Sequence, residues 1–268
     1  MPKRDWKKWP KRFLAEASTA SGVVGIVGTI IGASAVVVSA PTVALAAGAA
    51  ASIGLGWSAI RAVPKKNKTP EDLLGRRIYN FSELEDVYPP LRRIGLIGPT
   101  MVGKSTTVAH LQAEPVAGSR TDNPYAVIVR LPGSTNNYFA LVDAAGHKYS
   151  QQFKVSDNSD DLIVFLDHSE SDTDKNFCRK RANEEKRFLS QLSSHLDNQP
   201  ARPKRILFLM NKRDLWQQGQ SQVTAERWFS KILNDWPSHP ATTISSASHS
   251  NLITGDQTVL VQTISRWA

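Results

Sequence analysis

The stretch of this chain best suited to chemistry is Gly98-Pro99-Thr100-Met101-Val102-Gly103-Lys104-Ser105. Two glycines spaced in this way, followed by a lysine and a hydroxyl, let main-chain N–H groups wrap a phosphate where a helix begins. The expected cradle is Gly98 with the amides of Met101, Val102, Gly103 and Thr106. Lys104 would neutralise β and γ oxygens, and the Ser105 hydroxyl would be a ligand for Mg2+. The context fits, because residues 94–97 read as a strand directly before the loop and a helical stretch follows directly after it.

A phosphate cradle does not choose a base. Asn211-Lys212-Arg213-Asp214 does, and it follows a strand-like run at 206–210. Its side chains therefore emerge at the carboxyl edge of a sheet, where open α/β folds bind ligands. The Asp214 carboxylate can accept two hydrogen bonds, from the N1–H and the 2-amino group of guanine, whereas adenine offers no such donor pair. The wrong base would leave that carboxylate unpaired, which is enough for strong discrimination. The expected ligand is thus a guanine nucleotide, GTP or GDP, with Asn211, Lys212 and Asp214 reading the base.

Over about residues 92–268 these motifs resemble the Ras-like small GTPases, P-loop proteins of the TRAFAC class. The resemblance implies further roles. Asp143-Ala144-Ala145-Gly146 matches the family's Asp-x-x-Gly, with Asp143 at the metal site holding an Mg2+-bound water and the Gly146 N–H on the γ-phosphate. Thr121 is the matching switch threonine, completing the metal shell with Ser105. Ser246-Ala247-Ser248 matches a loop whose backbone, at Ser246 and Ala247, would meet the guanine carbonyl. His147 stands where many relatives carry a water-orienting glutamine. A histidine there is similar to the translational GTPases and to the β subunit of the signal recognition particle receptor. The catalytic residues so implied are Lys104, Thr121 and His147, although a solvated histidine in a mobile loop is an equal reading of His147. Two positions depart from the family. Met101 stands where some GTPases carry a polar residue that helps bind a monovalent cation, so activation by potassium is not expected, and Thr100 replaces a frequent glycine beside the γ-phosphate, which implies slow intrinsic turnover.

Elements that could position these residues follow from the hydrophobic pattern. Strand-like runs occur at 93–97, 125–131, 138–143, 162–167, 205–210 and 242–245, with helical stretches between most of them. Only the second and third runs are joined by a short turn, residues 132–137. The expectation is an α/β fold: a mostly parallel six-stranded sheet with one antiparallel hairpin and flanking helices, over 92–268.

Residues 1–18 form a basic segment. No charged residue lies between Glu16 and Arg61, and Pro41 sits near the middle of that run. Roughly 20 helical residues cross a bilayer core, so residues 19–63 are expected to form an α-helical transmembrane hairpin with both ends on the cytoplasmic side, where the basic clusters flank it. A cleaved signal peptide, a hairpin inserting on demand and a helical pair in a soluble assembly are competing readings. Residues 64–91 read as a linker.

The net charge of +9 is concentrated in residues 1–16 and 61–77, each carrying six basic side chains against two acidic ones. The remainder is nearly neutral, which argues against nucleic acid as a partner. A single cysteine, Cys178, excludes an internal disulfide and a thiol-built metal site. The expected function is therefore a membrane-anchored GTP-binding protein that hydrolyses GTP to GDP and phosphate and acts as a switch towards an unidentified effector or regulator. The alternative is a membrane-perturbing effector whose hairpin insertion or homo-oligomerisation GTP controls.

Overall fold

The computed structural model of this chain describes residues 67–112, 121–131, 138–199, 203–218 and 221–267. The expected hairpin, the basic segment before it and the turn at 132–137 lie outside the described residues. Among the described residues, no helix is long and apolar enough to cross a membrane.

Among the described residues seven strands form one sheet: β1 (Arg77–Ile78), β2 (Arg92–Ile97), β3 (Tyr125–Arg130), β4 (Tyr138–Asp143), β5 (Asp161–Leu166), β6 (Arg205–Met210) and β7 (Thr243–Ser248). Their order is β1-β3-β4-β2-β5-β6-β7, antiparallel where β3 meets β1 and β4 and parallel elsewhere. The expected count of six is corrected by β1, whose two residues pair with Ala126 and Val127 of β3. A strand of two residues carries no period-2 signal, so it was hidden in the region read as a linker. That region also buries Leu73, Phe81, Leu84 and Val87 in the main core.

Alternation along the central strands assigns side chains to two layers. Leu162, Val164 and Leu166 of β5, with Ile206, Phe208 and Met210 of β6, face one core, and Ile163, Phe165, Leu207 and Leu209 face the other. The helices are α1 (Lys104–Gln112), α2 (Tyr149–Asp157), α3 (Arg179–Asp197), α4 (Arg213–Trp216), α5 (Gln222–Asp235) and α6 (Thr254–Ser265). Phe188, Leu192 and Leu196 recur at four-residue spacing on α3 and cover the first face together with Val155 of α2 and Phe229 of α5. Val108 of α1 and Leu260 and Ile264 of α6 cover the second. Helices on both faces explain why β5 is buried along its whole length. Because β2, β4, β5 and β6 run in the same direction, their carboxyl ends deliver Gly98, Asp143, Asp167 and Asn211 to one edge of the sheet.

Candidate functional site

The loop between β2 and α1 passes three times through backbone that favours glycine or strains other residues, at Gly98 (φ +143°), Met101 and Gly103. Gly103 has φ +88°, where an added Cβ would also strike the Asn211 side chain, and Met101, half exposed, has φ +64°. Lys104 opens α1 and is 5% exposed; its Nζ donates to the carbonyls of Gly98 at 2.7 Å and Pro99 at 2.8 Å. Two carbonyls of the loop thus hold the ammonium against it, while the Gly98 N–H is taken by Gln152 Oε1 at 2.6 Å. Burial lowers Lys104 to about 8, Asp143 pulls it up, and Arg181 adds to the lowering. An anion at the loop would relieve that desolvation. Val102 is fully buried, and Thr106 lies half-buried in the first turn of α1.

Beside the lysine, three oxygen groups distant in sequence come together. Ser105 Oγ donates to Asp143 Oδ2 at 2.8 Å, Thr121 Oγ1 approaches the same oxygen at 3.3 Å, and the two hydroxyls lie 3.0 Å apart. Asp143 is wholly buried, and its other oxygen accepts from the Ala144 N–H at 2.9 Å. Burial raises the Asp143 carboxyl above its ordinary value, against the pull of Lys104 and of the hydrogen bonds from Ser105, Ala144 and Thr121. Two hydroxyls and a buried carboxylate form an all-oxygen donor set, the chemistry that suits a hard cation such as Mg2+.

Gly146 sits directly over the loop. A Cβ there would lie 2.5 Å from Thr100 N and 2.6 Å from Pro99 O, both backbone atoms, so only glycine permits the approach. His147 is exposed in the turn that follows.

At the far end, Asn211 is buried and its Nδ2 donates to Val102 O at 2.7 Å, tying the β6–α4 loop to the β2–α1 loop. Lys212 occupies the left-handed region, φ +56°. Its ammonium is held by Asp167 at 2.6 Å, Asp172 at 2.9 Å and Ser171 O at 3.1 Å. Asp214 accepts from Ser250 Oγ at 2.6 Å through Oδ1, which orients the carboxylate. Here the reading of Ser246 and Ala247 is corrected. Both lie inside β7, paired with Phe208 and Leu209 of β6, and the loop that reaches Asp214 is His249–Ser250–Asn251. The strand runs three residues further than expected because its Thr and Ser residues, on an exposed edge, give no apolar pattern to mark its end.

The sequence did not single out four other residues that brace this site. Asn251 spans Gly103 O, at 3.2 Å from Nδ2, and the Thr107 hydroxyl, at 2.9 Å from Oδ1, and Ser250 orients Asp214. Arg181 of α3 is buried, donates through Nη2 to Thr100 O at 2.7 Å, and is flanked by Glu184 and Glu185 at 3.1 and 3.0 Å. Gln152 of α2 is buried between Gly98 and Gly146. A helical Arg or Gln reads as a solvated residue until the inward face of its helix is known.

No protein-family model matches the chain, and no curated protein matches it in sequence. Among solved structures, that of the mammalian SRP receptor is similar over 66% of this chain and 100% of that chain, with 16% identity and a TM-score of 0.51. That likeness supports the P-loop GTPase fold over the α/β unit. A GTP-binding protein from the hyperthermophilic archaeon Sulfolobus solfataricus, solved in complex with GDP, is similar over 65% of this chain and 51% of that one, at 20% identity and TM-score 0.43. A mutation variant of SsGBP follows at 17% identity, 66% and 56% coverage and TM-score 0.45.

Proposed function

We infer that the α/β unit is a GTP-hydrolysing switch that binds Mg2+·GTP along the carboxyl edge of the sheet. The observation that carries this reading is the meeting of Ser105, Thr121 and Asp143, 16 and 38 residues apart from the serine, at one point beside the Lys104 ammonium. Asp214 stands ready at the other end of the same edge.

In this reading the amides of Met101, Val102 and Gly103 and the Lys104 ammonium grip the β- and γ-phosphates and offset charge that develops as the terminal phosphoryl group leaves GDP. A Mg2+ ion held by Ser105, Thr121 and Asp143 would supply positive charge to the same phosphate oxygens. Asp214, held by Ser250, accepts from the guanine edge, and the second Nδ2 hydrogen of Asn211 is available to the base. His147, next to the glycine that lies over Thr100, is the candidate to orient the attacking water. Loss of the γ-phosphate would release the loops carrying Thr121 and Gly146, the order–disorder change that a protein effector reads.

Calorimetry with Mg2+ tests the reading. GDP and GTPγS should bind while ATP does not, and Asp214→Asn should move preference from guanosine towards xanthosine nucleotides. Absence of heat with either guanine nucleotide would overturn it. Attachment to a bilayer is part of the same proposal, supported by the charge-free run between Glu16 and Arg61 and its basic flanks. The full chain should float with liposomes in both nucleotide states. Flotation only with GTPγS would favour controlled insertion.

A further inference from the structure

Gln152 joins the two backbone segments that a γ-phosphate would bring together. Its Oε1 accepts from the Gly98 N–H at 2.6 Å, and its Nε2 donates to the Gly146 carbonyl at 2.8 Å. The side chain is completely buried. The orientation of the amide follows from its partners, because an N–H requires an acceptor and a carbonyl requires a donor. A carboxylate could serve the first but not the second, and an apolar side chain neither.

These two bonds bear on geometry that matters for a phosphate sensor. Gly98 is the first residue of the phosphate loop and Gly146 closes the Asp143–Gly146 turn, whose backbone already rests on Pro99 and Thr100. Fixing the Gly146 carbonyl fixes the next peptide plane, and with it the start of the His147 turn. Gln152 itself lies in the first turns of α2, so any movement of the turn is transmitted to that helix.

We propose that Gln152 is a positioning residue of the switch: its amide latches the Gly146 turn to the start of the phosphate loop and sets the turn where it meets the γ-phosphate. The proposal rests on the guanine-nucleotide reading above. A purely supporting role would stiffen the phosphate loop for every nucleotide alike. A latch on Gly146 acts only where a γ-phosphate is present, so the two roles differ in the ratio of triphosphate to diphosphate affinity.

The test measures Kd for GDP and GTPγS with Mg2+ on the full chain, for wild type, Gln152→Met and Gln152→Glu. Methionine keeps the length and volume without a polar end. Glutamate at pH 8 keeps the acceptor for Gly98 and removes the donor to Gly146. Each variant is expected to raise the ratio Kd(GTPγS)/Kd(GDP) about tenfold or more. For the glutamate variant the ratio should recover as pH is lowered, because a protonated carboxyl regains a donor. Equal loss of both affinities, leaving the ratio within about twofold of wild type in whichever variant folds, would overturn the latch. A wild-type chain that binds neither nucleotide would instead refute the reading beneath it, before any variant is compared.

Discussion

If the α/β unit binds nucleotide as proposed, burial of Lys104 couples that binding to protons. Burial holds its ammonium at about 8, well below the 10.5 of an ordinary lysine. A shift of that size corresponds to a penalty on the order of 3 kcal/mol against the charged form. The folded-state value lies below the unfolded one, so without nucleotide the stability of the folded chain rises as pH climbs from about 8 towards 10.5. A triphosphate reverses the balance, because its oxygens favour the ammonium and return the lysine to a high value. Binding above pH 8 must therefore take up a proton. With a free-state value of about 8, affinity at pH 8.5 should be about fourfold weaker than at pH 7, with uptake of roughly 0.8 proton per nucleotide at pH 8.5 and roughly 0.1 at pH 7. Calorimetry in two buffers of different ionisation heat measures that uptake, and stopping at pH 8.5 keeps ionisation of the base small. A Kd and proton uptake that are both unchanged across this range would refute a buried ammonium as the phosphate counter-charge.

Three further outcomes follow from single contacts. Gly146→Ala places a methyl group 2.5 Å from Thr100 N, where only backbone can yield, so GTPγS affinity should fall more than about tenfold while GDP is largely retained; titration with both nucleotides checks this. Ser250→Ala removes a hydrogen bond to a charged acceptor, worth about 1.5–3 kcal/mol, so GDP affinity measured by calorimetry should weaken by about tenfold or more. His147→Ala should slow phosphate release in single-turnover assays without changing GTPγS affinity, since the side chain is exposed and bears no part of the fold.

How much could be read from the sequence depended on whether the chemistry was contiguous. Gly98 to Ser105 and Asn211 to Asp214 are local motifs, and the strands before them are apolar enough to locate their sheet edge. Thr121 and Asp143 could be placed because each lies at the end of an element with a clear pattern, the approach to β3 and the carboxyl end of β4. Ser250 could not be placed in this way, since the run Ser245-Ser246-Ala247-Ser248-His249-Ser250 repeats the same residue type and β7 lacks the alternation that would fix where it stops. Likewise, Leu73, Phe81 and Leu84 lie in short 3₁₀ turns, too brief for a period to emerge, although they fill the same core as the long helices.

Three of the four residues that the sequence did not single out share one property: their side chains hold loop main chain. Asn251 holds Gly103, Arg181 holds Thr100, and Gln152 holds Gly98 and Gly146, each through main-chain groups whose own residues belong to a motif. A main-chain amide presents the same chemistry in every residue type, so no spacing rule announces its partner. Asn211 shows the opposite case, a motif residue that is also a brace, since its Nδ2 on Val102 O ties the β6–α4 loop to the β2–α1 loop. In the proposed reading, replacing Asn211 would therefore disturb phosphate and base contacts together. Ser250 and Gln152 each touch only one end of the site, so their variants can distinguish base recognition from recognition of the terminal phosphate.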